Sequence, residues 1–346
     1  MKAMKLDAGL PSDLAQVGAR ARALEEAGYD GALTAETGHD PFLPLVLAAE
    51  HTERIQLGTG IAVAFARNPM LLANLGHDLN AYSRGRFVLG LGSQIRAHIT
   101  KRFSMPWSHP APRMREMVLA TRAIWDCWYH KKPLDFRGEF YQHTLMTPFF
   151  TPANVEYGPP KVFLAAVGPL MTEVAGETCD GIICHSFTTE KYVREVTIPA
   201  IERGLKKAGR SRADFEIKLP VFVVGGETEE QMKKSRQKVK EQVAFYGSTP
   251  AYKGVFDVHG WGELQPELNA MSKRGQWKEM GEVISDEVLD TFAVQSESAK
   301  GIAEGMVGRF GDLIDRTTWA YYQPGPERER ELIAAVKSLG AKAKTA

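Results

Sequence analysis

Three polar residues within a span of five, Glu36, His39 and Asp40, are the best acid–base candidates in the chain. A carboxylate and an imidazole that lie close together can be tuned to exchange protons near neutral pH. The alternative interpretation is that one of these residues only caps the helix that follows. Asp40 directly precedes Pro41, and for Asp40 capping is the better interpretation. Glu36 and His39 remain as catalytic candidates.

Gly168 and Pro169 begin a predicted helix whose free N–H groups and dipole could hold a phosphate. The same pair is also an ordinary helix start, so alone it is weak evidence. His185 and Ser186 follow the next predicted strand and would add side-chain donors. The sequence therefore offers a candidate phosphate site formed by two neighbouring loops.

A locally basic segment stands out in a chain of nearly balanced charge, with 43 basic and 42 acidic residues. It contains Arg96, His98, Lys101 and Arg102. The segment is either a solvated helix face or a binding surface for an anionic cofactor tail or substrate. The overall charge of +1 gives no drive toward nucleic acid or anionic lipid.

Several classes of site find no support in the sequence. The nine histidines form no His-x-His or His-Glu-x-x-His pattern, which leaves a metal site unsupported. No Gly-x-Ser-x-Gly nucleophile motif occurs. The three cysteines form no C-x-x-C pair and fit a reducing compartment. Without an apolar signal sequence or membrane span, we expect a cytoplasmic protein that does not bind membranes.

Strand and helix patterns alternate along the chain, and this alternation predicts what positions the candidates. Eight apolar or β-branched segments are predicted as strands: Lys5–Ala8, Gly31–Glu36, Arg54–Val63, Arg86–Gly92, Val162–Ala166, Gly181–Cys184, Glu216–Val224 and Thr317–Tyr321. Helices are predicted between them, for example Pro11–Ala27 and the helix that starts at Asn68-Pro69. Regular alternation implies parallel strands with right-handed crossovers. Eight such strands favour a closed (β/α)8 TIM barrel, and no G-x-G-x-x-G follows the first strand to support an open dinucleotide-binding sheet.

Two segments interrupt the alternation within this single predicted domain. Leu134–Phe150 is rich in aromatic residues and threonine and predicts a hairpin inserted before strand five. The stretch 225–290 is too long for one connection and predicts an insertion between strands seven and eight. It contains a charged helix, Thr228–Phe245, and a loop around Val255–Glu263. Barrels carry lids and substrate loops at such places.

The order and spacing of these segments resemble the luciferase-like flavin and deazaflavin oxidoreductases, in particular their F420-dependent branch. The stretches that carry the resemblance include GRFVLGLGSQIRAHITKRFSMPW, DFRGEFY and FLAAVGPLMTEVAGETCDGIICHSF. The resemblance implies a barrel with a tricyclic cofactor at the C-terminal ends of the strands. It also implies a homodimer.

The resemblance assigns roles to particular residues. It implies a cis peptide at Gly60-Ile61 that supports the middle ring, and it places Glu36 beside the reactive ring edge. Ser93 and Gln94 would meet the polar rim of the ring. The cofactor phosphate would be bound by Ala165, Ala166, Val167, Gly168 and His185. Relatives that oxidise sugar phosphates have a histidine where this chain has Thr37 and a lysine near Phe187-Thr188, so that reaction is not expected.

Coenzyme F420 is the expected cofactor, and FMN is the alternative. F420 has carbon at the hydride-bearing position and an oligoglutamate tail, which Arg96 and Arg102 could pair with. FMN lacks the tail and would make the protein a monooxygenase. A third possibility is a barrel that binds cofactor without catalysis. Aromatic and methionine side chains expected at the mouth suggest a small, apolar substrate, unless they only pack beneath the hairpin: Phe103, Met105, Trp107, Phe149 and Phe150.

Overall fold

The computed structural model describes residues 4–342 and contains twelve strands in this range. They are β1 (Lys5–Gly9), β2 (Gly31–Thr34), β3 (Gln56–Thr59), β4 (Ala62–Val63), β5 (Phe87–Gly92), β6 (Phe136–Arg137), β7 (Gln142–His143), β8 (Lys161–Ala166), β9 (Gly181–Cys184), β10 (Glu216–Gly225), β11 (Ala293–Ser296) and β12 (Arg316–Ala320). The parallel order β1-β2-β3-β5-β8-β9-β10-β12 closes where β12 pairs with β1. The predicted eight-stranded barrel is confirmed.

The helices of the described residues mostly surround this barrel. They are α1 (Leu14–Ala27), α2 (Leu43–Glu50), α3 (Pro69–Tyr82), α4 (Pro110–His130), α5 (Pro169–Thr178), α6 (Glu190–Tyr192), α7 (Ile198–Lys207), α8 (Glu229–Gly247), α9 (Lys253–Asp257), α10 (Leu264–Lys273), α11 (Met280–Val283), α12 (Asp286–Phe292), α13 (Ala299–Phe310) and α14 (Pro326–Lys342). Asn68 caps α3 as predicted, since its side chain accepts from Leu71 N. Gly28 ends α1 in the left-handed conformation, with φ of 90°.

Several boundaries differ from the prediction by one or two residues, and three differences are larger. The expected strand Arg54–Val63 is broken into β3 and β4, because the peptide Gly60-Ile61 is cis and interrupts the pairing with β5. Helix α1 begins only at Leu14, where Asp13 provides the cap. The segment predicted as a loop around 255–263 begins inside helix α9.

The barrel interior is charged at its N-terminal end. Asp7 on β1 lies 2.9 Å from Lys218 Nζ on β10, and Arg316 on β12 donates two hydrogen bonds to its carboxylate. Arg316 also pairs with Glu216 at 3.3 Å. These four residues, Asp7, Glu216, Lys218 and Arg316, form what we call the floor of the barrel. Lys218 and the Arg316 contacts hold the pKa of Asp7 at about 2, against the opposing effect of its burial.

The barrel interior is closely packed around Gly90. A Cβ at Gly90 on β5 would lie 1.9 Å from the Thr59 carbonyl oxygen and 3.1 Å from Ile183 Cδ1. Since Ile183 lies on β9, two strands away, Gly90 faces the interior. Only a hydrogen fits at this position.

Both predicted insertions are present. The hairpin of β6 and β7 lies on α4, where Glu116 accepts from the backbone N–H groups of Glu139 and Phe140. The second insertion consists of α8 to α12, which we call the insertion helices. They share an apolar cluster with the barrel residues Phe187, Phe222 and Val224.

The second insertion is followed by two elements that the sequence analysis missed. Strand β11 pairs with the end of β10, and α13 follows it. Phe222 lies opposite Ala293 and also opposite Ala320, so β11 and β12 flank β10 on its two sides. The insertion helices therefore return to the sheet at the C-terminal end of β10.

Candidate active site

Glu36 follows β2 at the C-terminal mouth of the barrel, and its side chain is only 7% exposed. Its backbone N–H donates to the Ile61 carbonyl oxygen at 3.0 Å. Its Oε2 accepts from Val63 N at 2.7 Å and from Arg67 Nη1 at 2.7 Å. The structure thus joins the predicted acid–base residue to the predicted cis peptide segment.

Arg67 is a partner that the sequence analysis did not assign. It pairs with Glu36, lies 3.3 Å from Asp40 Oδ2, and stacks over the Phe42 ring at 5.2 Å. A guanidinium and a backbone N–H are both strong hydrogen-bond donors to a carboxylate. Glu36 is therefore held by a charged side chain and by the backbone, and not by uncharged groups alone. In the sequence, the signal for Arg67 was its position shortly after the end of the third predicted strand.

The other two polar residues of this loop have different environments. Asp40 Oδ1 accepts from the backbone N–H groups of Phe42 and Leu43 at 2.8 and 3.3 Å and so holds the backbone at the start of α2, although the N-cap residue itself is Phe42 and has no side-chain cap. His39 is exposed. Only Glu36 of the two catalytic candidates is held in place by the barrel.

One side of the mouth presents backbone and small side chains. The peptide Gly60-Ile61 is cis, as expected. A Cβ at Gly92 would lie 2.8 Å from Ile61 Cδ1 and 3.6 Å from the Ala165 Cβ, so these residues meet at the ends of β3, β5 and β8. We call Gly60, Ile61, Gly92 and Ala165 the bare wall. It offers a surface on which a planar ring can lie without meeting long side chains.

Ser93 and Gln94 continue from β5 at the edge of the bare wall. Gln94 has a φ of 59°, a left-handed conformation that is uncommon outside glycine. Its Oε1 accepts from Ile95 N at 2.9 Å, and Ser93 Oγ donates to the Gln94 carbonyl oxygen at 3.1 Å. Val63 pairs with Gly92, so Ser93 and Gln94 leave the sheet beside the segment that holds Glu36.

The predicted phosphate site also comes together. Ala166 pairs with Cys184, so the chain leaves β8 and β9 at the same level and Val167 lies beside His185. Helix α5 has Gly168 at its N-cap, no side-chain cap and no acidic residue in its first turn. A Cβ at Gly168 would meet nothing within 4 Å. The positive end of the helix dipole thus faces open space.

The loop after β9 contributes two further polar groups. His185 Nδ1 accepts from Phe187 N at 3.0 Å, and burial lowers the pKa of His185 to about 4. The ring is therefore neutral at physiological pH, with its Nε2–H left to donate. Thr188 Oγ1 is buried and has no hydrogen-bond partner among residues 4–342. Such an unpartnered buried hydroxyl calls for a ligand or a water.

The opposite side of the mouth is aromatic. The ring of Tyr246, from α8, lies 4.4 Å from His185, and Tyr252 lies 5.1 Å from it. Tyr246 Oη lies 2.5 Å from Tyr321 Oη, and the Tyr321 ring packs on Phe222 at 5.4 Å. We call His185, Phe222, Tyr246, Tyr252 and Tyr321 the aromatic wall. The sequence analysis assigned a role only to His185, because the tyrosines reach the mouth from distant segments.

The basic segment forms a single π-helical turn, His98–Arg102, next to the mouth. Arg102 Nη2 donates to the Thr37 carbonyl oxygen and so joins the loops that follow β5 and β2. Its guanidinium also lies over the Phe103 ring. Arg96 and Lys101 are exposed. Of the two arginines expected to meet an anionic tail, Arg102 is engaged within the protein.

The aromatic residues expected at the mouth separate into two groups. Phe103, Met105 and Trp107 pack on the barrel core, and Trp107 meets Phe65 edge-on. Phe149 and Phe150 are 89% and 69% exposed and contact each other. They follow Met146, whose sulfur accepts from Trp128 near the end of α4, outside the barrel. Phe149 and Phe150 therefore do not line the mouth, and their expected role is wrong.

A model of the luciferase-like monooxygenase family matches residues 3–316. The chain belongs to this family. An uncharacterised protein of Mycobacterium tuberculosis is 52% identical over 313 residues, covering 90% of this chain and 92% of that protein. The 5,10-methylenetetrahydromethanopterin reductase of Archaeoglobus fulgidus is 27% identical, with 84% and 83% covered.

Solved structures of this luciferase-like fold are also similar. The coenzyme F420-dependent tetrahydromethanopterin reductase of Methanopyrus kandleri superimposes with a TM-score of 0.77 at 19% identity, over 96% of this chain and 97% of that chain. An FMN complex of the oxygenating component of 3,6-diketocamphane monooxygenase from Pseudomonas putida gives 0.67 at 14% identity, over 98% of each chain. The named relatives are oxidoreductases, and both cofactors occur among them.

The residues of this luciferase-like protein fit a phosphate-bearing flavin-type cofactor. The bare wall presents no long polar side chain to a planar ring, and the open space at Gly168 leaves room for a phosphate. The unpartnered Thr188 Oγ1 supplies a further polar group in the neighbouring loop. Within residues 4–342 no cluster of three potential metal ligands occurs, and no helix is long and apolar enough to cross a membrane.

Proposed function

We propose that this protein is an F420-dependent oxidoreductase that transfers a hydride between the deazaflavin and a small, largely apolar organic substrate. The observation that carries the proposal is the bare wall, with the cis Gly60-Ile61 peptide packed against Gly92 next to a buried carboxylate. A planar hydride carrier needs a flat surface on one face and free access on the other. The bare wall and the aromatic wall face each other across such a space in the proposed arrangement.

The cofactor's ring supplies the hydride-accepting or hydride-donating carbon, and the remaining roles fall to side chains and backbone. Gly60 and Ile61 support the ring. Ser93 and Gln94 offer a hydroxyl and an amide to its polar rim. Arg96 meets the anionic tail from the exposed basic segment.

The phosphate end has its own set of residues in this proposal. The phosphate is held by the loop after β8, through the backbone of Ala165, Ala166, Val167 and Gly168. His185 donates from its Nε2–H, which stays protonated because its Nδ1 is an acceptor. A neutral donor binds a phosphate without needing a low pH, so binding should not depend on pH between 5 and 9 through this group.

Glu36 handles the proton in this proposal. Its carboxyl group accepts a proton when a substrate is oxidised and returns it in the reverse direction. His39, exposed on the same loop, acts on substrate binding. Arg67 positions the Glu36 carboxyl group through their contact at 2.7 Å.

Titration of the purified protein with F420 and, separately, with FMN tests the proposal through the fluorescence of each ring. We expect F420 to bind and FMN to bind more weakly, because the exposed basic residues meet only the F420 tail. Preferential FMN binding would instead indicate an FMN-dependent monooxygenase. Failure to bind either cofactor would leave a non-catalytic barrel and overturn the proposal.

We further propose that the protein is a cytoplasmic homodimer, as the family resemblance implies. The support for the compartment is that all three cysteines are unpaired. Sedimentation equilibrium of the purified protein measures the oligomeric state, and a monomer at micromolar concentration would contradict the homodimer.

A further inference from the structure

Two tyrosine hydroxyls meet at the aromatic wall from separate parts of the fold. Tyr321 is the first residue after β12, and Tyr246 lies one residue before the end of α8. Their oxygens are 2.5 Å apart, a hydrogen bond between the barrel and the insertion helices. Both side chains are half-buried. The pair therefore lies where the insertion covers the mouth.

The hydrogen-bonding capacity of the pair exceeds what the protein uses. Each phenol has one hydrogen to donate and lone pairs to accept with. The contact between the two oxygens uses one of the two hydrogens. No second hydrogen bond to either hydroxyl is found among residues 4–342. One O–H donor thus remains for a group from outside the protein.

The backbone at Tyr321 is arranged to bring this hydroxyl to the mouth. Tyr321 has a φ of 63°, in the left-handed region that side-chain-bearing residues rarely adopt. Its ring turns back onto Phe222 and reaches Tyr246. Residues held in such conformations persist where the surrounding structure imposes them, and they concentrate at binding sites.

The surroundings of the pair indicate the charge of its ligand. The ring contacts of Tyr246 are His185, Phe245 and Tyr321, and Tyr321 also contacts Phe222. None of these side chains is charged at neutral pH, since His185 is neutral above about pH 4. A substrate carboxylate would lose its hydration here without a counter-ion, whereas the cofactor phosphate proposed beside His185 has the N-terminus of α5 to bind it. A neutral oxygen needs only the one donor.

We propose that the Tyr246–Tyr321 hydroxyl pair is the polar anchor of the substrate site and binds a neutral carbonyl or alcohol oxygen on an otherwise apolar molecule. The inference rests on the proposed function, because it takes the mouth to be the place of reaction. It narrows the substrate to compounds with an oxygen acceptor. The competing role for the pair is a structural link that only fastens α8 to the barrel.

Binding of two probes of similar size, cyclohexanone and toluene, separates these roles. Affinities are measured by ligand-detected NMR for the cofactor-free protein and for the protein loaded with F420. The wild type should prefer cyclohexanone. Combined in one protein, Tyr246→Phe and Tyr321→Phe remove both hydroxyls and should weaken cyclohexanone binding by about tenfold, the value of one hydrogen bond, and leave toluene binding unchanged. Each single variant keeps one O–H and should weaken cyclohexanone binding less.

Tyr129→Phe is the matched control, because it removes a hydroxyl that bonds to His77 on the outside of the barrel. It should leave both probes unaffected. Thermal melting is measured for all these variants. A purely structural link would lower the melting temperature of the mouth variants and leave the ratio of cyclohexanone to toluene affinity at the wild-type value, and that result overturns the proposal.

The outcome for the proposed function is read separately, from the cofactor titration. Cofactor binding without any preference for cyclohexanone overturns the anchor and leaves the oxidoreductase proposal standing. A preference for cyclohexanone that the combined Tyr246→Phe and Tyr321→Phe substitutions abolish supports the anchor, even in a protein that binds neither cofactor. Absence of cyclohexanone binding to the wild type counts against the anchor.

Discussion

At the ends of β3, β5 and β8 the mouth presents two glycines, an alanine and one isoleucine, whereas at the ends of β9, β10 and β12 it presents five rings. The first side, the bare wall, comes from the barrel strands and the residues that interrupt them. The second side, the aromatic wall, needs the insertion helices to supply Tyr246 and Tyr252. A barrel can thus combine a surface fixed by its strands with one that an insertion shapes.

The difference indicates how the two halves of a hydride-transfer site can vary independently. A planar cofactor needs flatness and backbone contacts, which small residues on adjacent strands provide. A substrate needs a shaped apolar surface with a few placed polar groups, which side chains provide. Changes in the insertion helices should therefore alter substrate choice without disturbing cofactor binding.

We expect the largest effect, a loss of unfolding free energy, from a substitution in the floor, because the floor stabilises the barrel whose strands lead to both walls. Asp7→Asn removes the carboxylate that pairs with Lys218 and Arg316 and leaves two buried cations without it. Breaking a buried pair in this way costs about 3–5 kcal/mol of unfolding free energy. Urea denaturation at pH 7 measures the loss. Asp126→Asn, at a half-exposed surface pair, should cost less than about 1 kcal/mol, and equal losses in the two variants would contradict the role of the floor.

The same carboxylate gives the wild type a pH dependence with a defined sign. Asp7 has a pKa of about 2 in the folded protein, below its ordinary value of 3.8, so the folded state favours its ionised form. Its contribution of about 2 kcal/mol is present above pH 3.8 and is lost as the pH falls toward 2. Asp7→Asn should flatten the stability profile in this range.

Glu36 is the next test, since its buried carboxyl group lies beside the bare wall, where Val63 N and Arg67 hold it. Glu36→Gln keeps an acceptor for Val63 N but cannot take up the proton, and turnover should fall by about a hundredfold or more. Turnover is measured with whichever ketone or alcohol reacts best, and cofactor affinity by fluorescence titration. We expect that affinity to stay near the wild-type value.

His39→Ala is the comparison for Glu36→Gln, because both residues lie on the loop after β2. It should raise KM and change kcat much less than Glu36→Gln does. Normal turnover in Glu36→Gln with an inactive His39→Ala would reverse the two roles. Near wild-type turnover in both would mean that the proton comes from water or from the substrate.

The cofactor side of the mouth was largely predictable from the sequence, whereas the tyrosines of the aromatic wall were not. Gly60-Ile61 interrupts a strand, and Gly168 and His185 follow strands, that periodicity and resemblance identify, so their meeting at the mouth follows from the barrel. Tyr246 reaches Tyr321 across 75 residues, and nothing local in the insertion helices indicates that contact. Periodicity predicts which face of a helix is buried, but it does not predict what the end of a long insertion touches.

Arg67 and β11 were missed for two different physical reasons. Arg67 follows the third predicted strand by four residues, but its partner Glu36 lies 31 residues away on the loop after β2. Strand β11 is only four residues long and follows α12 without a glycine or proline between them. A strand of this length is defined by its pairing with β10 and not by its own pattern.

Gly168 offers a cleaner test of cofactor binding, because a side chain there should disturb only the ligand. Gly168→Val places its side chain in open space, with φ and ψ of −76° and 154° that valine adopts readily. A blocked phosphate position should weaken both cofactors by about tenfold or more, equal to one charge-assisted hydrogen bond. Fluorescence titration measures both affinities.

Gly325 provides the matched control for Gly168. It also precedes a proline at a helix start, and a Cβ there would also meet nothing within 4 Å. Helix α14 differs in carrying Glu327 and Glu329 in its first turn, which suits no anion. Gly325→Val should leave both affinities unchanged. Wild-type affinity in a folded Gly168→Val protein would remove this loop from the site.

The smallest effect concerns the basic segment at the edge of the bare wall, and it distinguishes the two cofactors. Arg102 is already bound to the Thr37 carbonyl, so Arg96 is the arginine left to meet an oligoglutamate tail. An exposed pair of this kind contributes at most about 1 kcal/mol, so Arg96→Ala should weaken F420 binding about twofold to fivefold. The loss should shrink as salt is raised, because screening weakens exposed pairs. FMN, which has no such tail, should bind Arg96→Ala and the wild type with equal affinity. Arg137→Ala, on the distant hairpin, should bind each of the two cofactors as tightly as the wild type does. If Arg96→Ala weakens FMN binding as much as F420 binding, Arg96 meets the ring or the phosphate and not the tail. If Arg96→Ala binds F420 as tightly as the wild type does, the basic segment is only a solvated face.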